Sequence, residues 1–164
     1  MVFPVVDSLR SIEFGPSIWE ALQFCGAERL GHGVRIVDDI TGEPGHEKLG
    51  RLAEFVRDRR VPLELCPTSN VNTGVCKSIA EHPIGMLRRL RFRVTLNTDN
   101  RLMSNTSMTR EFTQFADAFS WTPDDFQWIT VNSVKSAFAH FDERLKIIND
   151  IVKPRYAALR ASSM

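Results

Sequence analysis

Three segments of the chain place side chains capable of chemistry directly after apolar runs. The first, Arg29-Leu30-Gly31-His32-Gly33, carries a histidine. The second, residues 63–70, ends in a threonine–serine–asparagine run, and the third, residues 92–100, ends in an aspartate–asparagine pair. Parallel α/β sheets and barrels carry their metal and ligand sites at the carboxyl tips of their buried strands. The three segments therefore predict one shared site at one edge of a parallel sheet.

The strongest metal-ligand candidate is Asp99, and its neighbour Asn100 is a candidate for ligand binding. A carboxylate oxygen binds zinc directly, but an aspartate at this place equally well caps the following turn. The amide of Asn100 offers two donors and one acceptor, which suit a heterocycle nitrogen or a turn. The spacing alone leaves both alternatives open for each residue.

The histidine at position 32 lies between Gly31 and Gly33. Flanking glycines let the backbone approach a ligand and leave the imidazole accessible. A histidine there can act as a base, as an electrostatic stabiliser or as a metal ligand. The alternative is a structural histidine whose ring nitrogens are satisfied within the protein.

Three further histidines, one polar run and one cysteine carry weaker signals. His46, His82 and His140 lie in polar surroundings and are expected to have no catalytic role, with His82 in a loop before a helix. Residues 67–70 have two alternative roles, to hold a substrate or only to shape their loop. Short polar side chains near a proline favour the second. Cys66 is expected to pack at a strand end.

Composition limits the classes of function. The 164 residues are 43% hydrophobic and 25% charged, with a net charge of +1. These values suit one globular domain and give no strong field for nucleic acid or an anionic membrane. Three cysteines, without a secretory signal, favour a cytoplasmic protein. No apolar run approaches the ~20 residues that span a bilayer.

Predicted strands and helices alternate along the chain. Strands are predicted at 30–36 (with the following loop), 61–65 and 93–96, and helices at 16–26, 46–60, 83–90, 107–119, 122–138 and 142–158, the last interrupted near Pro154. Strand–helix–strand alternation implies parallel strands with right-handed crossovers. A closed (β/α)8 barrel typically needs ~250 residues. The prediction is therefore an α/β fold: the C-terminal part of a (β/α)8 TIM barrel, with about three parallel strands, crossover helices and a helical C-terminus.

An ordered set of motifs resembles the adenosine deaminase family. The set is Arg29-Leu30-Gly31-His32-Gly33, then Glu64-Leu65-Cys66-Pro67-Thr68-Ser69-Asn70 with Thr73-Gly74, then His82-Pro83, then Asn97-Thr98-Asp99-Asn100. The resemblance runs from about Phe14 to about Leu145 and is to the C-terminal half of such an enzyme. It implies a zinc-dependent (β/α)8 hydrolase that converts adenosine to inosine and ammonia. It also divides the chain into an unmatched segment, 1–13, and a partial barrel domain, 14–164.

The resemblance implies roles for three residues. Asp99 would bind zinc at the last strand, and His32 would orient the water that zinc activates and stabilise charge in the transition state. Asn100 falls where many members carry a second aspartate that contacts purine N7, an acceptor that an amide donor also suits. The implied partner is a small purine nucleoside.

Two family motifs are missing from the sequence. The chain has no His-x-His, and residues 9–13, Leu9-Arg10-Ser11-Ile12-Glu13, stand where the family carries His-Ala-Gly-Glu. No general-acid role is assigned to Glu13. A catalytic zinc normally has three protein ligands or more, so weak or absent zinc and an inactive isolated chain are expected.

The missing motifs leave three hypotheses open. An N-terminal half on another chain or upstream segment completes the enzyme, or the chain is a truncated, non-catalytic remnant that self-associates through its open sheet edge. Alternatively, the chain belongs to a deaminase of a related 6-aminopurine. A zinc enzyme of the cytidine deaminase type is excluded, because Pro-Cys-x-x-Cys does not occur.

Overall fold

The chain forms a four-stranded parallel sheet flanked by helices in a computed structural model, which describes residues 2–5 and 14–162. The strands are β1 (Val2–Val5), β2 (Arg29–His32), β3 (Ile40–Thr41), β4 (Lys48–Leu49), β5 (Leu63–Leu65) and β6 (Val94–Leu96). The main sheet has the order β1-β2-β5-β6 with every pair parallel, and β3 and β4 form a separate antiparallel pair.

Helices follow the strands of the main sheet. They are α1 (Phe14–Gln23), α2 (Arg51–Asp58), α3 (Pro67–Asn72), α4 (Ile84–Arg89), α5 (Met108–Phe119), α6 (Pro123–Ser136), α7 (Phe141–Lys146) and α8 (Lys153–Ser162), with a 3₁₀ helix at Val34–Asp39 and a π-helical segment at Ile147–Val152. Parallel strands with intervening helices confirm the predicted partial α/β barrel. Within the described ranges, no helix is long and apolar enough to cross a membrane.

The first strand was not predicted. In β1, Phe3 lies opposite Leu30 and Pro4 opposite Gly31 of β2. A proline is tolerated there because, in the described part of the chain, β1 pairs with β2 alone. Residues 6–13, including Glu13, lie outside the described residues, and the division of the chain at residue 13 stays a prediction.

The predicted helix at 46–60 is too long at its start. Residues 48 and 49 instead pair with Ile40–Thr41 as β4, and α2 begins only at Arg51. Apolar spacing over 49–56 is typical of a helix but does not mark where the helix begins. The Asp39 carboxylate marks that point, since its Oδ2 accepts the Ala53 backbone N–H at 2.8 Å.

Replacing Asp39 with alanine should therefore destabilise the fold. Loss of a carboxylate that caps a helix N-terminus costs about 1 kcal/mol. The matched control is Asp38→Ala, since Asp38 pairs with Arg35 near the surface and such pairs contribute less than about 1 kcal/mol. Urea unfolding measures the free energy of unfolding of both variants. An equal decrease in the two variants would contradict the capping role.

The core lies between the main sheet and its helices. Leu30, Leu63, Leu65 and Val94 are fully buried in the strands. On the helical side, Phe115 of α5 stacks on Phe119 with ring centroids 5.2 Å apart and lies 5.1 Å from Trp121. This burial on both faces is typical of a parallel sheet and fixes the positions of the strand tips.

The last helices form one continuous rod with a change of winding. The π-helical segment Ile147–Val152 lies between α7 and α8 and precedes Pro154, near the predicted interruption. Beyond it, the Tyr156 hydroxyl lies 2.9 Å from Thr130 Oγ1, and Arg160 donates to Asp124 and Gln127. The helix therefore continues past the proline and packs against α6.

Candidate active site

Three predicted segments do converge at the carboxyl edge of the sheet. His32 is the last residue of β2, Ser69 lies in α3 just after β5, and Asp99 follows β6. The His32 Nε2 atom lies 3.6 Å from Asp99 Oδ2, and the Ser69 hydroxyl donates to the same oxygen at 2.7 Å. The site thus centres on one carboxylate that faces an imidazole and a hydroxyl.

Backbone conformation directs these side chains. His32 and Asp99 have φ angles of 60° and 55°, in the left-handed region that non-glycine residues rarely adopt. Gly33 has a φ of 63°, and a Cβ there would lie 3.0 Å from Leu63 Cδ2. The chain therefore turns sharply after each strand, and such strained positions cluster at functional sites.

A row of hydrogen bonds runs from the core to His32. The Ile84 N–H donates to His82 Nδ1 at 3.2 Å, and His82 Nε2 lies 3.2 Å from Asn70 Oδ1. The other end of that amide, Nδ2, lies 3.1 Å from His32 Nδ1. Residues 67–70 do more than shape a loop: they lie in α3, where Asn70 contacts His32 and Ser69 contacts Asp99.

His82 lies in the loop before α4, as predicted, but the structure corrects the expectation that its surroundings are polar. His82 is only 2% exposed, and its ring packs against that of Phe115 in a T-shaped pair with centroids 6.0 Å apart. Burial away from water lowers the pKa of His82 to about 4. The histidine is therefore neutral at physiological pH, and the aromatic cover over it comes from a helix far along the chain.

The lowered pKa of His82 predicts a pH-dependent stability. The unfolded histidine binds a proton below about pH 6.5, whereas the buried one resists protonation until about pH 4, so stability should fall as the pH drops through this window. At 1.36 kcal/mol per pKa unit, the loss is on the order of 3 kcal/mol. Urea unfolding at several pH values should show a shallower slope for His82→Gln than for the parent chain, and equal slopes would contradict the assignment.

Asn100 lies exposed at the edge of the site. Its Oδ1 accepts the Met103 backbone N–H at 3.1 Å, so the residue does form the turn that the sequence left open. The two N–H donors of its amide take no part in that turn. Turn formation and ligand binding are thus compatible at this residue.

A buried carboxylate and a buried thiol lie behind the site. Glu111 is fully buried, and its Oε1 and Oε2 accept from the Thr106 hydroxyl at 2.6 Å and the Thr68 N–H at 3.3 Å. Burial, reinforced by Asp99 and Glu111, raises the pKa of Cys66 to about 12. Cys66 is therefore a neutral thiol that packs at the strand end, as predicted, and supplies no thiolate.

The donor set fits part of a zinc site. The Asp99 side chain is 40% exposed and presents carboxylate oxygens, while His32 Nδ1 is occupied by Asn70. Nowhere in the described part of the chain do three or more histidine, cysteine, aspartate or glutamate side chains form a group that could hold a metal. These residues can offer one ligand of the three or more that a catalytic zinc takes.

Comparison with known protein families shows which family the chain belongs to. The family model described as adenosine deaminase matches residues 13–154, which is most of the chain. The chain belongs to the adenosine deaminase family. It is 66% identical to adenosine deaminase 1 of Streptomyces coelicolor over 89% of its own length and 37% of that protein. It is 62% identical to an adenosine deaminase of Mycobacterium sp. strain KMS over 88% of its length and 40% of that protein.

Solved structures agree on the deaminase fold. An adenine deaminase from Arthrobacter aurescens superposes with a TM-score of 0.78 at 23% identity, covering 87% of this chain and 40% of that one. A zinc-bound amidohydrolase from Burkholderia ambifaria gives 0.73 at 19% identity, covering 90% and 38%. At these identities the likeness concerns the fold. The chain spans about two fifths of the length of the adenosine deaminase family members it matches.

Proposed function

We propose that this chain supplies the carboxyl-terminal part of the active site of a zinc-dependent adenosine deaminase, which hydrolyses adenosine to inosine and ammonia. The observation that carries the proposal is the meeting of His32, Ser69 and Asp99 at the carboxyl edge of the sheet. The substrate is argued from the relatives at 66% and 62% identity, both adenosine deaminases.

Each residue of the site has a proposed task. Asp99 is one zinc ligand, and the hydrogen bond from Ser69 fixes which of its oxygens faces His32. Zinc, when bound, supplies an activated water by lowering the pKa of that water towards neutrality. His32 orients the water and stabilises developing charge, and the amide of Asn100 donates to purine N7, which is an acceptor.

The isolated chain is proposed to be inactive. Its described residues offer one zinc ligand, Asp99. An additional polypeptide segment must bring the remaining ligands and a general acid, whose loss alone costs about 10²–10⁴-fold in rate. The proposed partners are thus a purine nucleoside and a complementing N-terminal half.

Complementation tests the proposal. The chain is purified alone and after co-expression with the unmatched remainder of the Streptomyces coelicolor adenosine deaminase 1. Zinc is measured by plasma mass spectrometry and inosine by chromatography. We expect stoichiometric zinc and inosine only from the co-expressed pair. Tight zinc and turnover by the lone chain would contradict the divided site, and a zinc-free, inactive pair would favour a non-catalytic remnant.

A deaminase of a related 6-aminopurine is the second candidate. Asn100 replaces the aspartate expected at a position that contacts the purine, and structural neighbours include an adenine deaminase and an N6-methyl-AMP deaminase. The co-expressed pair is therefore assayed with adenosine, adenine and N6-methyl-AMP. A larger kcat/KM on either of the last two would favour the second candidate.

A further inference from the structure

The hydrogen bonds between His82 and His32 have a fixed direction. A backbone N–H can only donate, so the Ile84 N–H, 3.2 Å from His82 Nδ1, makes that nitrogen an acceptor. The single proton of the neutral His82 ring is then on Nε2. That proton points at Asn70 Oδ1, 3.2 Å away, which can only accept.

The Asn70 amide passes this direction on. With Oδ1 towards His82, the Nδ2 group donates to His32 Nδ1 at 3.1 Å. Rotating the amide by half a turn would set its N–H groups against the N–H of His82, so the opposite orientation is excluded. His32 Nδ1 is thus an acceptor, and its proton is on Nε2, the atom 3.6 Å from Asp99 Oδ2.

We propose that His82 is a positioning residue which, through Asn70, holds His32 as the Nε2–H tautomer with that N–H facing Asp99. His32 is then a hydrogen-bond donor at the reacting centre. Its Nδ1 lone pair is engaged, so in this arrangement it is neither the base nor a metal ligand. The catalytic meaning of this tautomer rests on the proposed function, whereas the tautomer itself does not.

Burial holds the hydrogen-bonded row His82–Asn70–His32, here called the relay, in one arrangement. Asn70 is 1% exposed and His82 is 2% exposed, so water has no access with which to replace either partner. The Asn70 backbone is held as well, because its carbonyl accepts the Val75 and Cys76 N–H groups at 2.9 and 3.1 Å. Protonation of His82 would place a proton on Nδ1, facing the Ile84 backbone N–H. The lowered pKa of His82 is consistent with the exclusion of this protonated form.

Nitrogen-15 histidine spectra of the full chain test the proposal. Two-bond proton–nitrogen correlations at about pH 7.5, one unit above the ordinary histidine pKa of about 6.5, distinguish the two tautomers. We expect His32 and His82 both as Nε2–H, with the His32 signals assigned by His32→Gln. An Nδ1–H tautomer for His32 in the unaltered chain would overturn the proposal without any variant of the relay.

Two substitutions at position 82 separate positioning from mere packing. His82→Phe fills the space but donates nothing, so the Nδ1–H share of His32 should rise several-fold. His82→Gln keeps a donor for Asn70 Oδ1 and should restore the tautomer. His140→Ala, at an exposed histidine, is the control and should change nothing at His32. An unchanged His32 tautomer in His82→Phe would overturn the proposal.

Asn70→Asp tests the relay without altering the buried ring. The carboxylate can only accept, so His32 should acquire a proton on Nδ1. An unchanged His32 would again overturn the proposal.

Turnover by the co-expressed pair connects the tautomer to catalysis. His82→Phe should lower kcat about 10–100-fold with little change in KM, the size expected when a supporting hydrogen bond is lost, and His82→Gln should recover most of it. Expected tautomers without inosine would refute the proposed function alone. Inosine formation unaffected by His82→Phe would refute the positioning role alone.

Discussion

Asp99→Ala should abolish zinc retention and inosine formation in the co-expressed pair. Loss of groups that only support a metal ligand already costs about 10–100-fold, so loss of the ligand itself should cost more than about 100-fold. The Asp99 carboxylate is also the acceptor for Ser69 and faces His32, so the change removes the group on which the site converges. Zinc content and kcat are measured on the same preparation.

Two matched variants show whether this loss is specific. Ser69→Ala removes only the hydrogen bond to Asp99 Oδ2 and should fall in the 10–100-fold range. Asp117→Ala removes an exposed carboxylate from α5 and should leave both zinc and kcat unchanged. Full zinc occupancy in Asp99→Ala would show that the metal lies elsewhere.

Phe115→Ala should cause the largest loss of stability. The side chain is fully buried, stacks on Phe119, packs against Trp121 in a tilted arrangement, and lies perpendicular to the ring of His82. Truncating a buried phenylalanine costs about 3–5 kcal/mol, through lost burial and the cavity left behind. This is a large part of the 5–15 kcal/mol that holds a typical domain folded.

Chemical unfolding followed by tryptophan fluorescence measures this loss, because Trp121 lies in the same aromatic cluster. Phe24→Ala is the control, since Phe24 is 75% exposed and its truncation should cost little. Similar losses for both variants would mean that the aromatic cluster under the site contributes nothing special to the fold.

The convergence of His32 and Asp99 was predictable from the sequence. Parallel strands place their carboxyl ends at one edge, so polar residues that follow buried strands meet there whatever the details of packing. The alternation of apolar and polar segments is a local property of the sequence. It was enough to predict β2, β5 and β6, the helices between them and hence the partial barrel. The start of α2 was misplaced because its cap, Asp39, lies beyond an intervening antiparallel pair.

Asn70 and His82 could not have been connected from spacing alone. Their hydrogen bond depends on how α3 and the start of α4 pack, and the burial of His82 depends on Phe115, more than thirty residues further along the chain. An asparagine in a short polar run that follows a proline is typical of a turn, and a histidine before a proline is typical of a loop. The strand β1 escaped prediction because Pro4 lacks the backbone N–H of a regular strand, so the sequence does not favour a strand there.

The π-helical segment at Ile147–Val152 sets the angular phase of everything that follows it. An α-helix turns by about 100° per residue, so one residue removed from this segment would rotate α8 by that angle and shift it by about 1.5 Å. Tyr156 would then leave Thr130, and Arg160 would leave Asp124 and Gln127. Single-residue length changes here should therefore be far less tolerated than equal changes in the exposed loop at 42–46.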